Sequence, residues 1–165
     1  MHVRELMTAN PATCRPDDTL ESAAHQMWEH DCGVLPVIDH QGRLGSTITD
    51  RDICMGAYTQ GAGLADLRVA DSMSKQLVTC HAGDTAVSAA RTMAEHRVRR
   101  LPVVDDHDEL CGMLSLNDLA TKAVKDKAVG REIVKVLTAV CQPQTKRDLV
   151  ADAAVGESAS AGAQL

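Results

Sequence analysis

Shifted by 66 positions, residues 3–53 of the chain lie on residues 69–119 without a gap. Val3 meets Val69, Met7 meets Met73, Thr13-Cys14 meets Thr79-Cys80, and Asp18-Thr19 meets Asp84-Thr85. Ser22-Ala23-Ala24 meets Ser88-Ala89-Ala90, Leu35-Pro36-Val37 meets Leu101-Pro102-Val103, and Asp52 meets Asp118. About a third of the positions are identical. A repeat of this size is one supersecondary unit that cannot bury its apolar face alone, so two copies must pack on each other.

Within each copy the pattern reads strand, helix, strand, strand, helix. Residues 12–14 and 78–80 read as short strands. Asp18, with Glu21 three positions on, reads as a helix cap. Leu20, Ala23, Ala24, Met27 and Trp28 then fall on one helical face, as do Ala86, Ala89, Ala90, Met93 and Ala94 in the second copy. Residues 34–38 and 44–48 read as strands joined by the turn Asp39-His40-Gln41-Gly42. A second helix starts near Asp50, and its counterpart near Leu116. These features divide the chain into a first repeat (1–60), a linker (61–67), a second repeat (68–125), a C-terminal helix (126–142) and a flexible tail (143–165). The last helix gathers Val129, Ile133, Val136, Leu137, Val140 and Cys141 on one face, and Pro143 ends it.

Composition narrows the function classes. Trp28 and Tyr58 are the only aromatic residues, so a nucleic-acid binder that stacks bases on rings is disfavoured. The formal net charge of −6 leaves no basic footprint for nucleic acid or an anionic membrane. The apolar runs are far shorter than the roughly 20 residues that span a bilayer. The N-terminus lacks the apolar core of a signal peptide, so a cytoplasmic location is expected. No C-x-x-C pair occurs among the six cysteines, and we expect no metal site. Neither a phosphate-binding glycine loop nor a catalytic constellation is visible, so an enzyme is not expected.

The motifs Val3-x-x-Leu6-Met7-Thr8, Asp18-Thr19-Leu20, Leu35-Pro36-Val37-Ile38-Asp39 and Thr49-Asp50-Arg51-Asp52, repeated in the second copy as Arg100-Leu101-Pro102-Val103-Val104-Asp105 and Ser115-Leu116-Asn117-Asp118, resemble a pair of cystathionine-β-synthase (CBS) domains. The resemblance covers roughly residues 1–122. It implies an α/β (α+β) fold, two β-α-β-β-α repeats around a pseudo-two-fold axis, and a homodimer. It also implies a regulatory or sensor module that binds an adenosine-containing ligand (AMP, ADP, ATP or S-adenosylmethionine) between the repeats and modulates a partner protein. No cofactor is required.

Thr49-x-x-Asp52 and Ser115-x-x-Asp118 read first as helix capping boxes. The resemblance gives the same four residues as ribose and phosphate contacts. It also sets cations before the LPV strand, where Arg99 and Arg100 stand, and arginine suits phosphate because its planar fork bonds bidentately. The first copy has Gly33-Val34 there, so the two clefts are unequal and a phosphate should prefer the second. Thr13 and Thr79 stand where the family sets the adenine, and Val34, Leu35, Leu101 and Pro102 complete the expected contacts. Ser46 in place of Gly112 is expected to narrow the first cleft.

Cys14 and Cys80 are equivalent, and such residues can approach across a pseudo-two-fold axis. With Cys141 they form the redox candidates of an alternative reading: a ligand-free, thiol-dependent stress-response dimer.

Overall fold

The computed structural model describes residues 1–122 and 126–141. Its strands are β1 (Thr8–Ala9), β2 (Val34–Ile38), β3 (Leu44–Thr49), β4 (Cys80–His81), β5 (Arg100–Val104) and β6 (Leu110–Ser115). Its α-helices are α1 (Leu20–Glu29), α2 (Asp50–Gln60), α3 (Ala86–Glu95), α4 (Leu116–Lys122) and α5 (Lys127–Cys141). The fold is mixed α/β with a C-terminal helix, and both copies repeat the same helix–hairpin–helix order. The expected tail, 143–165, lies outside the described residues.

Each hairpin is built by the same local chemistry. Asp39 Oδ1 accepts from the backbone N–H groups of Gln41 and Arg43, and Asp105 Oδ1 from those of His107 and Glu109. These bonds favour the ionised carboxylates, and both sit below the usual aspartate pKa. The turn then needs a left-handed residue. Gly42 (φ 81°) supplies it in the first copy and Asp108 (φ 60°), 66 positions on, in the second; glycine and aspartate both tolerate that region.

The first helix of each copy starts one residue later than the sequence pattern suggested. Thr19 and Thr85, not Asp18, are the caps: their hydroxyls accept from Ser22 N and Ser88 N. The Asp18 carboxylate is taken instead by the Arg15 N–H at 2.8 Å. Leu20, Ala23 and Met27 are buried, as are Ala86, Ala89, Ala90 and Met93. Trp28 is not part of that face; it is 83% exposed.

The sheets depart from the expected plan. Residues 12–13 and 78–79 form no strand. Cys14 makes only an isolated bridge to Val37, and the second copy's strand begins at Cys80, pairing parallel with β5. A strand the sequence did not suggest, β1, pairs antiparallel with β6, Thr8 opposite Met113 and Ala9 opposite Gly112. The result is a four-stranded sheet, β1-β6-β5-β4, and a separate β2-β3 hairpin.

This pairing is one part of a crossover. Val3 and Leu6 bury their side chains with Cys80, Ala86, Met93, Leu101 and Leu114 in the second copy's core. Leu67 and Val69, which precede or begin the second copy, join Cys14, Leu20, Leu35 and Ile48 in the first copy's core. Backbone bonds fix both crossings: Val3 N to Asp84 O and Arg4 N to Ala82 O on one side, Val69 N to Asp18 O and Ala70 N to Pro16 O on the other. Each copy therefore completes the other's core, which ties the two together far more firmly than surface contact would.

Helix α5 packs along α3 and touches α4. Val129 and Val136 are buried beneath it, while Ile133 and Val140 lie partly covered. Leu137 and Cys141, expected on the same face, point outward instead. Glu132 sits within this contact, only 7% exposed. It is bonded by Lys135 Nζ at 3.0 Å, with Arg91 at 3.7 Å, and these cations hold its pKa below the usual glutamate value. No helix among the described residues is long and apolar enough to cross a membrane.

Candidate functional site

The β1 crossover leaves a cavity of about 740 Å3 beneath it. One wall comes from the second copy: Arg99 and Arg100 at the start of β5, Met113 and Ser115 on β6, and Asn117 and Asp118 on α4. The other comes from the first copy: Thr8, Asn10, Pro11 and Ala12 as the chain leaves β1, with His30, Asp31, Cys32, Gly33, Val34 and Asp50. Asn10 takes a left-handed conformation (φ 50°) that asparagine tolerates. Pro11 then fixes its own φ, and the pair bends the chain across the opening.

Strand pairing sets the polar groups together. Arg100 lies directly opposite Ser115 in the β5–β6 ladder, and Leu116 N bonds Arg99 O at 2.8 Å. Cross-strand residues hold their Cβ atoms about 5 Å apart, so the guanidinium and hydroxyl groups start from neighbouring points. The Ser115 hydroxyl donates to Asp118 Oδ2 at 2.6 Å, Ser115 N donates to the same oxygen at 2.9 Å, and Asp118 N returns a bond to Ser115 Oγ at 3.1 Å. Neither Arg99 nor Arg100 forms an ion pair with a described residue. Two permanent cations thus face a cavity already fixed by a serine and an aspartate.

The first copy contains the same capping geometry in another setting. Thr49 N and Thr49 Oγ1 donate to Asp52 Oδ2 at 2.9 and 2.7 Å, and Asp52 N bonds Thr49 Oγ1 at 3.2 Å. Yet Thr49 and Asp52 line neither this cavity nor a smaller one beside it. Ser46 is buried and donates to the Ser74 carbonyl at 2.6 Å, clipping the second crossover onto β3. At its counterpart, Gly112, a Cβ would run into the Met7 sulfur. The two copies hold their crossovers by different means, a hydroxyl clip at one and an apolar contact with glycine at the other.

Of the residues expected to contact a ligand, the structure gathers Val34, Arg99, Arg100, Ser115 and Asp118. Leu35 and Leu101 are wholly buried core residues, one position on from the cavity-lining Val34 and Arg100 and so on the opposite face of their strands, and Pro102 is also buried. Thr13 and Thr79 line neither cavity. Pro11 and Ala12, from the copy opposite Asp118, line the cavity instead. The signal for this was the Asn10-Pro11 pair, which marks a turn.

The cysteines are all free thiols. Cys14 and Cys80 belong to different cores and do not meet across the pseudo-axis. Burial, aided by Asp18 for Cys14 and by Asp84 for Cys80, pushes both pKa values up to about 12. Neutral thiols are poor nucleophiles, so these two are packing residues. Cys111 is also raised, by burial and then by Asp105. Cys141 is exposed at the end of α5, away from the core that holds Cys14. Among the described residues no three His, Cys, Asp or Glu side chains converge as a metal site.

The CBS domain model matches residues 3–56 and 65–125. This chain belongs to the CBS domain family. It is 34% identical over 134 residues to the CBS domain-containing protein YhcV of Bacillus subtilis, covering 81% of this chain and 94% of YhcV. The crystal structure of Hypoxic Response Protein I, which has two coordinated zinc ions, matches with 30% identity and a TM-score of 0.66, over 73% of this chain and 97% of that one. The structure of CBSX2 in complex with AMP matches with 26% identity and a TM-score of 0.65, over 76% and 98%.

Proposed function

We propose that this CBS pair is a regulatory module that binds an adenosine phosphate in the cavity between β1 and β5–β6. The observation that carries the reading is the pair of guanidinium groups, Arg99 and Arg100, with no ion pair to a described residue, beside the Ser115–Asp118 box in one cavity. Arg99 and Arg100 meet the phosphate, the Asp118 carboxylate meets the ribose hydroxyls, and Pro11, Ala12 and Met113 supply the apolar wall against the base. The AMP complex of a CBS relative supports the ligand class. Paired arginines favour AMP, ADP or ATP over S-adenosylmethionine, which carries no phosphate.

Binding becomes a signal when the ligand prefers one of two conformations. The cavity has walls from both copies, so occupancy bears on how they pack, and a partner protein or a second subunit reads that change. The chain works in the cytoplasm as a homodimer and catalyses nothing itself. The test is thermal unfolding of the purified chain with AMP, ADP, ATP and S-adenosylmethionine at millimolar concentration, with native mass measurement for the dimer. The phosphates are expected to raise the melting temperature. No shift with any of the four refutes the reading.

A further inference from the structure

We infer that Asp31 and Asp50 set the number of phosphates the site accepts: it takes a nucleoside monophosphate and turns away the di- and triphosphate. This rests on reading the Ser115–Asp118 cavity as an adenosine site. The two carboxylates stand on the first copy's wall of that cavity, and both also line a smaller cavity of about 500 Å3 beside it. Arg100 is the one cation among the residues lining the smaller cavity, and apart from the two acids the rest of its lining is uncharged, Met27, Trp28 and Ile53 included.

The balance of charge decides what a longer phosphate chain meets. With the ribose at Asp118 and the first phosphate on Arg99 and Arg100, both arginines of the larger cavity are taken, and Asp31 and Asp50 remain. A second or third phosphate finds no further arginine or lysine lining either cavity, only carboxylates of its own sign. Gly33 lets the acid come close. A Cβ on it would lie 3.0 Å from Asp50 Oδ2 and 3.5 Å from Arg100 Nη2. Carboxylate and guanidinium therefore flank one bare point of backbone, with no side chain at residue 33 to separate Asp50 from a phosphate on Arg100. Like charges about 6 Å apart at a protein surface weaken binding on the order of ten-fold.

The fold does not call for acids at these two places. Asp31 follows α1 in a left-handed conformation (φ 47°), and its counterpart Arg97 makes the same turn at φ 53° with the opposite charge. Asp50 is the first residue of α2, where an acid suits the helix dipole, yet α4 starts on Leu116 at the equivalent position. Asp50 Oδ1 accepts from Arg51 N at 2.7 Å, while Oδ2 is the atom nearest Gly33. The negative charges thus follow the cavity, and neither the turn nor the helix start accounts for them.

The test is calorimetry of the full-length chain with AMP, ADP and ATP, in EDTA so that no divalent cation neutralises the phosphates. AMP is expected to bind about ten-fold tighter than ATP, with ADP between them. Asp50→Asn keeps the shape and removes the charge, and Asp31→Asn does the same at a left-handed position that asparagine tolerates. Each variant is expected to raise ATP affinity about ten-fold and AMP affinity about three-fold or less, and the gain should shrink as salt is added. ATP binding to the parent as tightly as AMP, or an AMP-to-ATP affinity ratio unmoved in both variants, overturns the inference and leaves the adenosine site standing. Failure of all three nucleotides to bind overturns the adenosine reading and this one with it.

Discussion

The repeat provides its own control for separating structure from ligand binding. Asp52 and Asp118 cap their helices through matching bonds, from Thr49 at 2.9 and 2.7 Å and from Ser115 at 2.9 and 2.6 Å. Replacing either by alanine removes the same capping interactions, at about 1 kcal/mol. In a chain of this size that loss lowers the melting temperature by ~2–4 °C. Only Asp118 lines the cavity. With AMP at 100 times its dissociation constant, the parent gains about 2.7 kcal/mol. Loss of a charged hydrogen-bond partner for the ribose costs about 1.5–3 kcal/mol, which weakens binding on the order of ten- to a hundred-fold. Asp118→Ala then retains only about 0.4–1.4 kcal/mol of the ligand's stabilisation at the same AMP concentration, while Asp52→Ala retains all of it. Thermal unfolding of both variants, with and without AMP, measures each quantity. If Asp52→Ala loses the AMP effect as fully as Asp118→Ala, the assignment of the site to the second box is wrong.

Arg100→Ala should bring AMP affinity down to that of adenosine, a loss of about 1.5–3 kcal/mol, and should flatten the salt dependence of AMP binding; calorimetry at two ionic strengths reads both. Met93 is wholly buried between the second copy's helices and sheet, so Met93→Ala should cost about 2–5 kcal/mol in urea unfolding. Under native conditions at pH 8, a thiol reagent followed by mass spectrometry should label exposed Cys54 and Cys141 first and leave Cys14 and Cys80 untouched. Those two buried thiols keep their protons to about pH 12 in the folded chain, against an ordinary value of 9.0. Above pH 9 the unfolded state therefore binds fewer protons than the folded one. Stability should fall by about 1.4 kcal/mol per thiol per pH unit up to pH 12, and Cys80→Ala should halve that slope in alkaline unfolding curves.

Periodicity carried the reading of the sequence wherever a residue answers to its near neighbours. The buried faces of α1 and α3, both hairpins and both second-helix starts follow from spacing and turn chemistry. Failures came where a distant segment decides. Thr8 and Ala9 are too short a run to announce a strand, and only the edge of β6 makes them one. Thr13 and Thr79 were both expected to contact a ligand, yet neither lines a cavity, and the crossover brings Pro11 and Ala12 to the wall instead. Trp28 follows Met27 in the apolar list, but it falls at the rim of the helix stripe, where no described segment of the chain covers it. Leu101 and Leu35 belong to the motif that identifies the family, yet their side chains serve the cores. The place of the arginines in the cavity was legible for the opposite reason: it follows from an asymmetry between copies, which the alignment of the chain with itself displays directly.

That asymmetry explains why one box and not the other faces the cavity. Both copies offer a hydroxyl–carboxylate box at the end of a hairpin, so the box alone cannot select a site. Selection comes from what opposes it. In the first copy, Gly33 and Val34 stand at the strand start and contribute no charge. In the second, Arg99 and Arg100 occupy the same register and remain without a carboxylate partner among the described residues. The uncharged pair still has a role, because Gly33 and Val34 form part of the wall that Arg100 faces. The copy without the cations supplies a wall bearing Asp31 and Asp50, and the copy that has them supplies Arg99, Arg100 and the Ser115–Asp118 box. Two copies each bearing arginines at this register would set like charges close together across the cavity, and two copies each bearing glycine and valine would leave it with no phosphate contact. Divergence at positions 33 and 34 against 99 and 100 is therefore what turns a symmetric pair into a single polar site.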